Sequence, residues 1–515
     1  MSAAEPLEEL AAHARDIRVV VIGGGVAGLV SALEFAKVGM RVTVLESDDR
    51  LGGVVRDAEV AGLRLDVGAE SFATRGGTVA ALLDELGLAD RVALPHPGGA
   101  WVAGLPGGDA APLPVGGVLG IPDNPWDPAV RRIIGWGGAW RAYLDRVRPP
   151  LTIGHDRSLG HLVRSRMGAA VHDRLVAPVT SGVYSARPDD IDVDVAAPGL
   201  NAALTRVGSL SGAVAELRGG RTVAPGGAVA GIDGGMARLV DALVARLDAL
   251  GVRLHTGVAV EAIRADGDGW RVVTGDEHAA GARPGADAVP PEGDPLPLAD
   301  DAPDEDDAFR ADAVVVATTE AEARRLLAPV VPLLDPDTAP SPVVEIVTLV
   351  LDAPALDARP RGNGVLTVAH SHRAKALTHA SAKWGWVAEA AGPGIHVVRV
   401  SFGTQDEAPA TADLDDAQAA ALALEEASTL LGVPLRADAL RGAHRERYVQ
   451  SQPGSAIGRA ATVAAARGAI RAVSGIGAVG AWLSGTGLAQ VVPDARDEAE
   501  RLRRSVLWGR VGSQE

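Results

Sequence analysis

The chain has no cysteine among its 515 residues. That excludes disulfides, thiolate metal sites, iron–sulfur ligation and a flavin linked through cysteine. Aromatic residues are also few: three Tyr and four Phe, beside nine Trp. An aromatic cage around a substrate cation is therefore hard to assemble. Lysine is nearly absent, since Lys37, Lys375 and Lys383 stand against 46 Arg. No charge-free run of about 18 apolar residues occurs, so no segment is expected to span a bilayer. Residues 1–16 are acidic and polar and lack the basic and apolar regions of a secretion signal. A cytoplasmic protein is expected.

Charge is unevenly spread. The formal net charge is −17, but residues 276–307 hold eleven acidic residues and one basic residue, Arg283, so −10 lies there and −7 elsewhere. That segment also carries six prolines, and 275–310 reads as a disordered acidic loop between two strands. The acidic balance argues against a nucleic-acid partner. At 515 residues the chain exceeds what one core serves, and two or three domains are expected.

What is present is concentrated near the start. Val19, Val20, Val21 and Ile22 form a continuous apolar run, the pattern of a strand buried on both faces. Gly23, Gly25 and Gly28 follow as G-x-G-x-x-G, within Gly23, Gly24, Gly25, Val26, Ala27 and Gly28. The first glycine serves the tight turn, the second lets backbone approach a pyrophosphate, and the third lets the helix pack on the strand. The helix that begins there turns free N–H groups and its positive end toward an anion. A second strand then ends at Glu46, an acid placed to bind a ribose 2′-hydroxyl and to repel a 2′-phosphate. An ADP-containing dinucleotide is expected. Arg50, Gly52 and Gly53 come directly after, and an NAD domain has no need of that second glycine pair.

This combination resembles the FAD-containing amine oxidase superfamily. Four further stretches narrow the likeness: GAESFATR at 68–75, LPVGGVLGIP at 113–122, DRLVAPVTSGVY at 173–184 with ARPDD at 186–190, and AKALTHASAKW at 374–384. Together they resemble bacterial protoporphyrinogen and coproporphyrinogen oxidases, over residues 17–510, with the coproporphyrinogen III oxidases of high-GC Gram-positive bacteria the nearest match. The resemblance implies oxidation of coproporphyrinogen III to coproporphyrin III in haem biosynthesis, with oxygen as acceptor and hydrogen peroxide as product. Protoporphyrinogen IX oxidation is the alternative, and a flavin amine oxidase or a non-catalytic FAD-binding scaffold stand behind it.

The same resemblance implies a non-covalent FAD. Gly23, Gly24, Gly25, Val26, Ala27 and Gly28 would meet its pyrophosphate and Glu46 its ribose, with Ser47 and Arg50 alongside. Gly53, Val54, Gly68, Ala69, Glu70 and Ser71 would lie along the pyrophosphate and flavin, and Val260 would meet the adenine through its backbone. Tyr448, Ala481, Thr486, Gly487 and Leu488 would approach the flavin. Tyr448 stands where the family has Trp, and 454–459, GSAIGR, lacks the histidine that often follows. No catalytic group is assigned beyond Lys383, and no metal site is expected. Arg75, Arg187 and Lys375 are the candidates for substrate propionates, because fixed cations match carboxylates.

The expected fold class is α/β: a discontinuous Rossmann-like FAD-binding domain (17–96, 225–335 and 445–515), an inserted mixed-sheet substrate domain (336–444) and a mostly helical domain lining the substrate cavity (97–224). The partners expected are a porphyrinogen and oxygen, with transient contact to other haem-pathway enzymes left open. Trp126, Trp136 and Trp140 lie among Arg131, Arg132 and Arg141. They fit either peripheral contact with a membrane surface or a core helix with a solvated Arg face, and the core helix is the expectation.

Overall fold

The computed structural model describes residues 12–147, 157–219, 228–275, 308–338, 341–449 and 454–508. Its centre is a five-stranded parallel sheet. Arg18–Ile22 is the middle strand, flanked by Arg41–Leu45 and then Arg253–His255 on one side, and by Ala313–Val316 and then Ile476–Ala478 on the other. Alternation explains why the middle strand reads as unbroken apolar sequence. Val19 and Val21 pack with helices Val26–Ala36, Ala237–Ala249 and Leu488–Trp508, while Val20 and Ile22 pack on the opposite face with Val260, Ile263, Leu326 and Ile470. The opposite face is covered in part by an antiparallel sheet of Val260–Asp266, Gly269–Thr274 and Ala308–Ala311. Ala308–Ala311 is a strand where the sequence reads as the end of the acidic loop, because its backbone pairs with Gly269–Thr274. Residues 276–307 lie outside the described residues.

The second sheet has seven strands, in the order Leu440–Val449, Val343–Asp352, Ile395–Phe402, Ala376–His379, Gly364–Thr367, Ala100–Leu105 and Asp109–Pro112. All neighbours are antiparallel except Gly364–Thr367 with Ala100–Leu105. The sheet therefore draws on chain from either side of the inserted segment expected at 336–444. Two strands come from before the helices, and the last runs through position 445. Strand pairing joins pieces that composition alone separates.

One face of this sheet is closed by helix Asp416–Leu431, which begins with a capping box between Asp415 and Gln418. Leu349, Leu377, Val398 and Val400 point into that core. The register puts Ile346, Leu366, Ala376, Thr378, Arg399 and Ser401 on the other face. Against the far part of that face lies a helical layer that includes Pro128–Tyr143, Leu159–Met167, Ala177–Tyr184, Leu200–Val207 and Leu210–Arg218. Gly182 permits its close approach: a Cβ there would stand 2.6 Å from Leu366 Cδ2. Serine caps set two of the helix starts, Ser158 accepting from the His161 N–H and Ser209 from the Gly212 N–H. Among the described residues, no helix is long and apolar enough to cross a membrane.

Candidate cofactor and substrate site

The glycine turn is shaped by two kinds of constraint. Gly23 adopts φ 106°, and a Cβ there would stand 2.7 Å from the Ala317 carbonyl oxygen. A Cβ on Gly28 would overlap the Gly23 carbonyl, so this position sets how closely the helix lies on the strand. Gly25 differs. It has an ordinary φ of −69°, and a Cβ there would meet nothing within 4 Å. Open space thus faces the start of helix Val26–Ala36, which has no side-chain cap and no acid in its first turn. Gly25 also bridges Gly52, bringing the second glycine pair alongside the first.

Glu46 closes one side of this turn. Its carboxylate accepts from the Gly24 N–H at 2.6 Å, the Asp48 N–H at 2.8 Å and the Ser47 hydroxyl at 3.2 Å. Residues 257–260 run against it, since the Val258 N–H donates to the Glu46 carbonyl at 2.8 Å. That places Val260 beside the Glu46 end of the groove, although its carbonyl already accepts from Arg325 Nη2 at 2.8 Å. Arg50 is held away as a brace, donating to the Asp57 carbonyl at 2.8 Å, and Val54 is exposed.

The turn at 68–71 is held by an ionic cluster. A Cβ on Gly68 would overlap the Val54 carbonyl and stand 2.7 Å from the Tyr448 hydroxyl, so only glycine fits. Glu70 receives Lys383 Nζ at 2.5 Å on one oxygen and Arg399 Nη1 at 2.8 Å on the other. Arg399 also donates to the Gly68 carbonyl at 2.5 Å. Burial alone would raise the Glu70 carboxyl, but the charges and hydrogen bonds of Lys383 and Arg399 outweigh it and hold it at about 2. Just before the turn, burial pushes Asp66 up to about 6, against hydrogen bonds from the Met236 N–H at 2.8 and 3.0 Å. Two anchors, one ionic and one to a helix start, fix this turn from opposite sides.

Polar atoms without partners lie around it. The Tyr448 hydroxyl and the Trp384 indole N–H are buried and unbonded among the described residues. Burial pushes the Tyr448 hydroxyl well above its usual range. Ala481 opens the short helix Ala481–Ser484, and Gly485, at φ 102°, turns the chain into Leu488–Trp508 through Thr486 and Gly487. This donor set fits FAD: an uncapped helix start with open space, an acid beside it, and orphaned buried donors farther along. Among the described residues, no group of three or more His, Cys, Asp or Glu is placed to hold a metal ion.

Arg399, which reaches the charged turn, belongs to the face of the seven-stranded sheet opposite helix Asp416–Leu431. Ile346, Leu366, Ala376, Thr378 and Ser401 lie in its middle strands, yet all are only half-buried. Lys375 precedes Ala376, and its Nζ lies 2.7 Å from Ser185 Oγ. Burial lowers its ammonium to about 8, and no carboxylate pairs with it among the described residues. Ser185 ends helix Ala177–Tyr184 in a left-handed conformation, φ 53°, which turns it toward the lysine.

The other two cation candidates are less suitable. Arg187 is exposed and already shared between Asp190 at 3.0 Å and Asp406 at 2.9 Å. Arg75 is exposed, with no carboxylate partner among the described residues. Lys383, the one candidate for a catalytic group, pairs with Glu70 and lies 4.9 Å from the Trp384 ring. Sequence reading missed Arg399 and Ser185. Arg399 had a signal, an arginine inside the apolar strand Ile395–Phe402 with only 7% of its side chain exposed. Ser185 had none.

A family described as flavin containing amine oxidoreductase matches residues 26–492. A coproporphyrinogen III oxidase of Mycobacterium tuberculosis is 31% identical over 496 residues, covering 95% of this chain and 96% of the relative. One from Propionibacterium freudenreichii is 28% identical over 522 residues, covering 95% and 91%. Among solved structures, a protein of Exiguobacterium sp. 255-15, described as a candidate protoporphyrinogen oxidase, superposes with a TM-score of 0.78 at 21% identity, covering 95% of this chain and 99% of that one. That last likeness shows the fold.

Proposed function

The chain belongs to the flavin containing amine oxidoreductase family, and from that premise we propose that it oxidises coproporphyrinogen III to coproporphyrin III in haem biosynthesis. Oxygen is the acceptor and hydrogen peroxide the product. The observation that carries this reading is the match along 95% of the chain to proteins named coproporphyrinogen III oxidase. A half-buried lysine, Lys375, that has no carboxylate partner among the described residues supports an anionic substrate.

In this reading the FAD-binding unit is discontinuous (17–96, 225–335 and 445–515), with the mixed sheet and helical layer enclosing the substrate. Bound FAD supplies a two-electron acceptor that oxygen regenerates. Gly23 to Gly28, with Gly53 and Val54, hold its pyrophosphate; Glu46 and Ser47 hold the ribose; and the backbone of Val260 borders the adenine. Gly68, Ala69, Glu70, Ser71, Tyr448, Ala481, Thr486, Gly487 and Leu488 border the flavin.

Six electrons and six protons leave the porphyrinogen in three rounds, and three molecules of oxygen become three of hydrogen peroxide. The pyrrole N–H groups release their own protons, so the chain need not supply a strong base. Its contribution is orientation and exclusion of water. Lys383, tied to Glu70, positions the 68–71 turn and keeps a cation beside the reacting face. Lys375 with Ser185 receives a propionate, and Arg75 and Arg187 stand as further propionate contacts nearer solvent. A cytoplasmic location, peripheral contact with a membrane and transient contact with other haem-pathway enzymes complete the reading.

The test is turnover of coproporphyrinogen III, protoporphyrinogen IX and a panel of amines, followed by peroxide release. Coproporphyrinogen III is expected to have the highest kcat/KM. Faster turnover of protoporphyrinogen IX, or of any amine, would overturn the assignment.

A further inference from the structure

Asp66, Asp145, Glu320, Glu345 and Glu498 are the fully buried acids among the described residues. All but one are matched by arginine: Asp145 by Arg166 at 2.5 Å, Glu320 by Arg324 at 3.0 Å, Glu345 by Arg447 at 3.2 Å and Glu498 by Arg471 at 2.8 Å. Asp66 has no ion pair among the described residues. Backbone holds it instead, since the Met236 N–H reaches its two oxygens at 2.8 and 3.0 Å, at the start of helix Ala237–Ala249. Gly235, at φ 101°, lets that backbone close in, because a Cβ there would stand 3.0 Å from Asp66 Oδ1. A buried carboxylate without a counter-ion holds its proton more tightly than one in water.

Asp66 and Glu70 stand on either side of Gly68, yet they differ in kind. Lys383 and Arg399 keep Glu70 ionised down to about 2, so it exchanges no proton near neutrality. Asp66 titrates at about 6, because burial outweighs the Met236 N–H and the field of Arg399. The other charges that face it are engaged. Asp57, opposite Asp66 in the hairpin of Asp57–Val60 and Leu63–Asp66, pairs with Arg64, which also holds Asp241 at 3.0 Å. Arg238, past the helix start, is exposed, and the Tyr448 hydroxyl beside Gly68 is pushed far above neutrality. Among the described residues of this turn, Asp66 is the group whose charge can change.

The proposed reaction has a use for such a group. In each round the porphyrinogen gives a hydride to the flavin and a proton from a pyrrole N–H. Oxygen then takes the two electrons and the proton of that hydride, with one further proton, and becomes hydrogen peroxide. Between these half-reactions one proton has to wait while the flavin carries an added negative charge. A negative charge nearby strengthens the hold of a carboxylate on a proton. We propose that Asp66 stores this proton, binding it as the flavin is reduced and yielding it as oxygen takes the electrons back. The inference rests on the proposed placement of the flavin along 68–71. Asp66 acts by charge and proton binding, without touching the reacting atoms.

The test is electrochemical reduction of the full-length, FAD-loaded protein over a series of pH values, with no substrate present. Proton uptake is read in weakly buffered solution, and carboxyl groups are read from reduced-minus-oxidised infrared spectra. At a pH just above about 6, wild type should bind roughly half a proton more per flavin than Asp66→Asn. The excess should vanish well above and well below that pH, where Asp66 keeps one charge in both flavin states. A protonated-carboxyl stretch should appear on reduction in wild type and be missing from Asp66→Asn. Asparagine keeps an oxygen for the Met236 N–H, so flavin content should be unchanged. Asp57→Asn should match wild type in both readouts. The proposal is overturned by a wild type that shows no such band, or by Asp66→Asn that keeps the band and the excess uptake. If Asp66→Asn loses its flavin, Asp66→Glu decides: a shifted band upholds the proposal and an unshifted one overturns it. Since no porphyrinogen is oxidised, failure here leaves the oxidase reading standing.

Discussion

The two ends of the site are built by different means. Around Gly25 the chain presents backbone, open space and one acid, all within residues 23–53. Around Glu70 and Lys375 it presents charged side chains gathered from residues 70, 185, 375, 383 and 399. The first end recognises its ligand through local geometry that a short motif dictates. The second recognises it through charges that only the completed fold brings together. A helix start tolerates little change in shape, whereas a charge cluster tolerates little change in balance.

The largest effect is expected at the backbone end. Gly28→Ala forces a methyl group into the Gly23 carbonyl, so the helix must leave the strand. Overpacking of this kind costs about 1–3 kcal/mol, and the purified protein should lack flavin absorbance. Gly25→Ala should behave differently, because a Cβ there meets nothing within 4 Å. Its apoprotein should melt with wild type while FAD affinity falls. Equal flavin content in Gly25→Ala and wild type would break the comparison.

At the charged end, Glu70→Gln leaves Lys383 and Arg399 without their shared carboxylate. Breaking a buried ion pair costs about 3–5 kcal/mol, read as a lower midpoint in denaturant. The pH dependence has a definite sign. A carboxyl held at about 2, below an ordinary value near ~4.3, contributes stability that is fully present above the ordinary value. That stability is lost as pH falls toward about 2. The difference between wild type and Glu70→Gln should therefore shrink as the solution is acidified over that window.

Smaller effects are expected at the three cations proposed for the substrate. Lys375→Gln should raise the KM for coproporphyrinogen III about tenfold, or ~1.4 kcal/mol, with flavin content unchanged. Stability should not fall, since burial already disfavours this ammonium. In wild type the KM should climb as pH rises through about 8, where the cation is lost; in Lys375→Gln it should not. Arg75→Ala and Arg187→Ala should change KM by about threefold or less, given exposed or shared charges. A larger effect at Arg187 than at Lys375 would invert the order.

The same contrast explains what could be read from the sequence. The strand at 19–22, the glycine turn and Glu46 are legible because periodicity and steric need act within a few residues. Strand partners are not: Ala100–Leu105 joins the sheet beside Gly364–Thr367, far away in sequence. Glu70 was visible in its motif, but its partners were not, because Lys383 and Arg399 lie 313 and 329 residues away. Lys383 was legible as a candidate, but its pairing with Glu70 was not. Trp136 and Trp140 are exposed and misled, since a helix with two apolar faces reads as a buried one.

One measurement bears on the central claim most directly: addition of coproporphyrinogen III to the purified, FAD-loaded protein without oxygen, then admission of air. The flavin absorbance should bleach as coproporphyrin III fluorescence appears, and should return in air with release of hydrogen peroxide. A flavin that stays oxidised in the presence of coproporphyrinogen III would contradict the account.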